Sequence, residues 1–254
     1  MPESAPRTGL LAAALVALGV TLAAGLAGGA YILGHQARQA LGKQSITVKG
    51  LAEKPVTADQ GSFSFTLNGS GATIADALAN LRSQQPAVRD FIRVQGYSGP
   101  QIETGNETFE PVFRKDAEGR QLDEISHYRA HQPYRLTSRN VRQIATTEKA
   151  LLNLQAGGLQ LEAQPAQYLV SGLESIKMSL IGAATRNARA RAEEFAKTGD
   201  TRVGSMVSAQ QGAFYILPAQ GESDAADDYG GAYDKSTIEK KARVVVTIVY
   251  TIGD

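Results

Sequence analysis

Apolar and polar positions along this chain change their period several times, and each change marks an element. Residues 8–34, TGLLAAALVALGVTLAAGLAGGAYILG, carry no charge. A helix crosses a bilayer with roughly 20 apolar residues, so this run is long enough to span. Residues 35–44 read as a polar linker. From Ser45 the period shortens to two: SITVKGLAEKPVTA sets Ile46 and Val48 on one face. GSFSFTLNGSG alternates strictly, with Phe63, Phe65 and Leu67 against Ser62, Ser64 and Thr66. A helix opens at Thr73, its cap, with Asp76 in the first turn, where a carboxylate suits the helix dipole. Ile74, Ala77, Leu78 and Leu81 form its apolar face, Pro86 is expected to kink or divide it, and Gly96 ends it.

The next two runs, QIETGNETFEPVFR and ISHYRAHQPYRLTSRNV, flank the charged KDAEGRQLDE and predict a hairpin. A second helix runs from Val141 to about Ala156, closed by Gly157 and Gly158. LQLEAQPAQYLVS predicts a strand, a third helix begins near Leu173, and a short strand covers residues 203–208. The terminal KARVVVTIVYTIG is apolar on both faces and belongs in the middle of a sheet. The order ββα, ββ, αβ, αβ, β predicts an α+β fold of antiparallel sheets packed with helices in two lobes, behind an N-terminal transmembrane helix. The boundaries are a stub at 1–7, the span at 8–34, a linker at 35–44 and a domain at 45–252. Within that domain the acidic, Gly-rich stretch 218–237 reads as a mobile loop.

On a helical wheel, Ile176, Leu180, Ala184, Ala188, Ala192 and Ala196 of the third helix form a drifting stripe, which Ile181 and Phe195 broaden. Arg186, Arg189, Glu193 and Lys197 fall opposite, and Arg189–Glu193 is an i,i+4 ion pair. Arg191 falls on the apolar side. Two readings stand: its stem lies along that surface with the head in water, or it meets a carboxylate in a buried or intersubunit ion pair.

Composition then narrows the functions. Net charge is +1, the basic face of that helix is interrupted by acids, and no nucleic-acid partner is expected. The chain has no cysteine, which excludes disulfides, thiol catalysis and a lipid-modified N-terminal cysteine. The apolar run exceeds the 7–15 residues of a cleaved signal and reads as an uncleaved signal anchor, the cleaved form being the alternative. Arg7 lies on its N-terminal side, and Arg38, Lys43 and Lys49 on the other. By the positive-inside rule alone this favours a cytoplasmic domain, although long translocated domains escape that rule. Ala17, Thr21, Gly25 and Gly29 repeat every four residues and are candidate packing positions between helices in lipid.

No catalytic constellation emerges. His127 and His131 in HYRAH share a strand face without a third ligand, so no metal is expected. Asp224, Asp227, Asp228 and Asp234 lack EF-hand spacing. Gly69–Gly71 lies between a strand and a helix and weakly resembles a phosphate cradle, without the lysine and hydroxyl of a P-loop. Adjacent acids such as Asp123–Glu124 and Glu193–Glu194 point apart. No catalytic residue, cofactor or enzyme activity is predicted.

Several stretches in order resemble the SIMPL domain, a bacterial family: ITVKGLAEKPVTAD, HYRAHQPYRLTSRNV, GLQLEAQPAQYLVS, ATRNARARAEEFAKTGDTRVGSM and the Val-rich last strand. His127 stands where the family often has glycine, and the 218–237 loop is long and acidic for it. The resemblance implies a secreted, periplasmic or membrane-anchored protein without established catalytic residues. Some relatives form large homo-oligomers and some are linked to oxidative stress. The expectation is therefore a single-pass protein of the bacterial inner membrane with its domain in the periplasm, assembling as a homo-oligomer. The alternative is an envelope binding module for a protein or small ligand.

Overall fold

The computed structural model describes Gly19, Leu22, Ala23 and residues 25–32, 44–220 and 232–253. The strands are β1 (Ser45–Thr57), β2 (Gln60–Gly71), β3 (Ile102–Thr104), β4 (Thr108–Lys115), β5 (Gln121–Ser138), β6 (Leu161–Ala163), β7 (Gln167–Leu169), β8 (Arg202–Pro218) and β9 (Glu239–Gly253). The helices are α1 (Ile74–Val94), α2 (Val141–Ala156) and α3 (Leu173–Thr198). The fold is α+β. The strands form a three-stranded sheet in the order β1-β9-β8 and a six-stranded sheet in which β2 and β5 are central. In the latter, β3 and β4 both pair with β5, and β6 and β7 both pair with β2, all antiparallel.

The described chain divides into two compact units. One comprises described residues of Met1–Gly50, Thr185–Gln210 and Val246–Asp254, the other Leu51–Ala184 and Gln211–Val245. The division falls inside β1, α3, β8 and β9.

In the larger unit the alternation of β2 becomes a layer. Phe63, Phe65 and Leu67 are buried on the face that α1 and α2 cover, opposite Leu136, Tyr134 and Gln132 of β5. Phe65 stacks on Tyr134 with ring centroids 5.3 Å apart. Ala77, Leu81, Val88, Phe91 and Ile92 supply the facing side of α1. Gly69 and Gly71 set how closely the layers approach. A Cβ at Gly69 would lie 2.4 Å from the Leu81 nitrogen, and one at Gly71 2.4 Å from the Ala77 nitrogen.

Helix ends follow the local chemistry. The Thr73 hydroxyl accepts from the Asp76 amide at 3.2 Å and donates to its carboxylate at 2.8 Å. Asn140 caps α2, its side chain accepting from the Gln143 amide at 3.3 Å. At the C-termini a residue with positive φ turns the chain back, so that the next amide bonds deep into the last turn. Tyr97 N–H reaches the Ile92 carbonyl after Gly96 (φ +81), and Leu159 N–H reaches Leu154 after Gly158 (φ +94). In α3, Thr201 N–H reaches Ala196, but the positive-φ residue is Asp200 (φ 55), not the Gly199 before it.

Four elements differ from the sequence expectation. α1 is one helix through Pro86 and is not divided there, Leu81 before it and Val88, Phe91 and Ile92 after it being anchored in one core. QIETGNETFEPVFR is two strands, with the Gly105 amide still bonded to the Pro133 carbonyl at 2.8 Å. LQLEAQPAQYLVS also divides, around Pro165, which has no amide to give a ladder. β8 is far longer than residues 203–208, because β9 carries it through the polar Ser208–Gln211 stretch. Gly204 lies against Thr251 and Gly212 against Val245, so β8 and β9 run antiparallel.

Candidate functional site

Of the proposed membrane-packing positions, Ala17 and Thr21 lie outside the described residues, as does most of the 8–34 span. Gly25 and Gly29 fall in the helical residues 25–32, with nothing within 4 Å of a side chain added at either. Among the described residues no helix is long and apolar enough to cross a membrane.

The alanine stripe of α3 is buried: Leu180, Ala184, Ala188, Ala192 and Ala196 are all nearly inaccessible. Two of its expected neighbours are not on that face. Phe195 is 63% exposed, and Arg191 is exposed. The reason is drift. Each i,i+4 step advances about 40° around the helix, so by the last turns the buried face has rotated away from both. The wheel shows the drift, but not which side of it each turn buries. Arg191 Nη1 donates to the Lys49 carbonyl at 3.2 Å, and no carboxylate meets it among the described residues. Arg186 and Arg189 are exposed, and Arg189 pairs with Glu193 at 2.8 Å.

His127 and His131 sit on β5. His131 Nε2 meets the Thr108 hydroxyl at 2.7 Å, and His127 Nδ1 meets the Ser126 hydroxyl at 3.3 Å. No group of three metal-ligating side chains occurs among the described residues. The Gly69–Gly71 cradle is corrected: the space beside these glycines is filled by the backbone of α1. Asp224, Asp227 and Asp228 lie outside the described residues.

The fourth acid of that group is committed to a buried ion pair. Lys240 Nζ donates to the Asp234 carboxylate at 3.0 Å and to the Asp234 carbonyl at 2.6 Å, with its side chain 0% exposed. Burial pushes the Asp234 carboxyl up. The Thr237 hydroxyl, the Ser236 hydroxyl and amide, and the Lys240 ammonium outweigh it and hold the carboxyl far below the usual carboxylate range. Beside it, Tyr233 bridges to Ile216, and the Tyr233 hydroxyl accepts from the Val170 amide at 2.8 Å. The return of the acidic stretch is thus fastened to the fold.

A second polar network straps the β3–β4 connection to α1. Arg82 holds Glu107 through Nε at 3.0 Å and Nη2 at 2.7 Å, and Gln85 donates to Glu107 at 2.7 Å and to buried Gln132 at 3.0 Å. The Arg82 guanidinium holds the Glu107 carboxyl below its ordinary value. The members of this network satisfy one another, which is the signature of structural support.

The uncovered face of the six-stranded sheet is different. Ser62, Ser64 and Thr66 lie directly opposite Thr137, Arg135 and Pro133 and point away from the buried face. At one end of this face opens a cleft of about 910 Å³, with Ser62, Gln101, Arg135, Thr137, Arg139 and Asn140 in its wall. Among the described residues no aspartate or glutamate lines it. A second cleft of about 650 Å³ shares Arg135 but includes Glu103. Arg135 was invisible as a site residue in the sequence, because its neighbours in the cleft come from four separate segments.

The three-stranded sheet exposes an edge. β1 and β8 are its outer strands. β1 carries Lys49, Glu53, Lys54 and Pro55, and Glu53 meets Arg243 of β9 at 2.6 Å. In β8, residues 203–217 carry no charge and no proline, and Met206 and Val207 are 47% and 60% exposed.

A family model, SIMPL, described as a protein of unknown function (DUF541), matches residues 46–250. No curated protein matches the chain.

Proposed function

This chain belongs to the SIMPL family, and on that premise we propose that it is a membrane-anchored, non-catalytic protein of the cell envelope that assembles with copies of itself. The β8 edge carries the reading. An edge strand offers a row of unpaired amides and carbonyls to any other strand, and proteins that stay monomeric blunt such edges with lysine, proline or short length. β1 is blunted in this way; β8 is covered at Ile216, where residues 232–234 bond its backbone, but its 203–211 stretch carries no such device. Exposed Met206 and Val207 add apolar surface beside the open backbone. The charge-free 8–34 run supports anchoring, and the family resemblance, against the Lys and Arg count around the run, supports a domain on the periplasmic side.

Light scattering of the full chain in detergent tests assembly. Oligomers at micromolar concentration are expected, and Val207→Lys is expected to shift them to monomers while circular dichroism stays unchanged. Monomers alone in the unaltered protein would overturn the proposal. Protease added to intact spheroplasts tests the topology: digestion of the domain is expected, and protection would place it in the cytoplasm.

A further inference from the structure

The cleft at the end of the β2–β5 face has a chemistry that neither the core nor assembly requires. Two guanidiniums, Arg135 and Arg139, line it, and among the described residues no carboxylate does. In a chain of net charge +1, that is a local concentration of positive charge. The nearest acids leave both arginines with donors to spare. Glu103 forms an ion pair with Arg135 at 3.9 Å, which offsets part of its charge but takes no hydrogen bond from it. Asp59 is close enough for the charge of Arg139 to be felt, but its two oxygens are taken by the Ser171 amide, at 2.8 Å, and the Ser171 hydroxyl. Arg139 itself makes no hydrogen bond or ion pair within 4.0 Å among the described residues. The Ser62 hydroxyl supplies a neutral donor between the two strands, while the Thr137 hydroxyl directly opposite donates to the Gln101 carbonyl at 3.5 Å.

The backbone fixes this arrangement. Arg135 stands on the central strand β5, flanked by buried Tyr134 and Leu136, so its direction of exit is set by the pleat. Arg139 follows the end of the same strand, where the chain turns into α2 at the Asn140 cap. At about 910 Å³ the space matches that of small-molecule pockets, which run to roughly 1,000 Å³. Guanidinium forks match planar carboxylates and phosphate oxygens, and a cleft of one sign draws the opposite charge.

We infer that this cleft binds a small organic anion bearing carboxylate or phosphate groups, held by Arg135 and Arg139 with the Ser62 hydroxyl. The cleft lies within one compact unit, so binding does not depend on assembly.

Isothermal titration of the full chain in detergent, in metal-free buffer, with citrate and with pyrophosphate as probes, tests the inference. Saturable binding of at least one probe is expected, weakening as salt is raised. Citrate alone assigns carboxylates, pyrophosphate alone assigns phosphates, and both together assign a general polyanion site. Arg139→Gln and Arg135→Gln are each expected to weaken binding at least about tenfold, the scale of a lost charge-assisted hydrogen bond. Arg186→Gln, on the exposed side of α3, is expected to leave it unchanged. No saturable binding of either probe overturns the inference. So does binding that survives in the Arg135→Gln/Arg139→Gln double variant, or that Arg186→Gln weakens equally.

Discussion

Replacing Gly69 with alanine adds one methyl group where two backbones already touch. The new Cβ would stand 2.4 Å from the Leu81 nitrogen and 2.7 Å from both the Ala77 oxygen and the Leu81 Cα. Those atoms flank the helical hydrogen bond from the Leu81 amide to the Ala77 carbonyl, so the methyl would wedge into the helix itself. Ordinary contacts begin near 3.4 Å. α1 must therefore move by about 1 Å, and Ala77, Leu81, Val88, Phe91 and Ile92 would lose their fit with it. Overpacking costs typically about 1–3 kcal/mol, and here no flexible side chain can yield. Alanine also regains about 0.5–1 kcal/mol over glycine in a strand. A net loss of about 2 kcal/mol is expected, a large share of the roughly 5–15 kcal/mol of a typical domain. Urea unfolding followed by circular dichroism measures it, with Gly253→Ala as the control because nothing lies within 4 Å of that position. A loss below about 0.5 kcal/mol for Gly69→Ala would refute the close-approach argument.

Three further outcomes follow from geometry. Asp234→Ala should cost about 3–5 kcal/mol by stranding the buried Lys240, and adding Lys240→Met should restore much of it, as read from unfolding midpoints. Because the Asp234 carboxyl is held below its unfolded value, its contribution is complete above about pH 5 and drains away as pH falls below about 4. An acid titration should therefore fall less steeply below pH ~4 in Asp234→Asn than in the unaltered protein; equal slopes would refute the linkage. Asp200→Gly should raise stability by up to about 1 kcal/mol, since glycine takes positive φ without strain, and a lowered melting temperature would contradict that.

Much of this fold is legible from local chemistry. Thr73 announces α1, Gly157 and Gly158 close α2, and the period of two in β2 gives its buried face without ambiguity. β9 reads as a central strand because both its faces are apolar, and it lies between β1 and β8. What stays hidden depends on the third dimension. The wheel shows a drifting stripe and still puts Arg191 and Phe195 on the apolar face, because it cannot say which side of the drift each turn buries. Gly69 and Gly71 suggest a ligand cradle because sequence cannot say that a helix backbone lies there. The Asp234–Lys240 pair sits at the close of a stretch that composition marks as loop, and nothing local in the sequence announces that this lysine is buried. The Arg135–Arg139 cleft draws its wall from both sides of the chain's long-range pairings, which no window of residues contains.

The pairing of β1 with β9 also sets an order of events. Glu53 and Arg243, the ion pair across these strands, are 190 positions apart. The first strand of the domain therefore has no neighbour in its own sheet until the last has been synthesised. The six-stranded sheet is complete by residue 169 and can consolidate earlier, because all its strands precede α3. Through that interval β1 is an open edge, and its Lys49, Glu53, Lys54 and Pro55 are the residues that keep such an edge from joining a stranger. β8 emerges just ahead of β9 and waits only a short time for its partner, so its uncharged run meets no comparable demand during folding. The two edges of one small sheet are thus written for different moments: β1 for the nascent chain, β8 for the finished one.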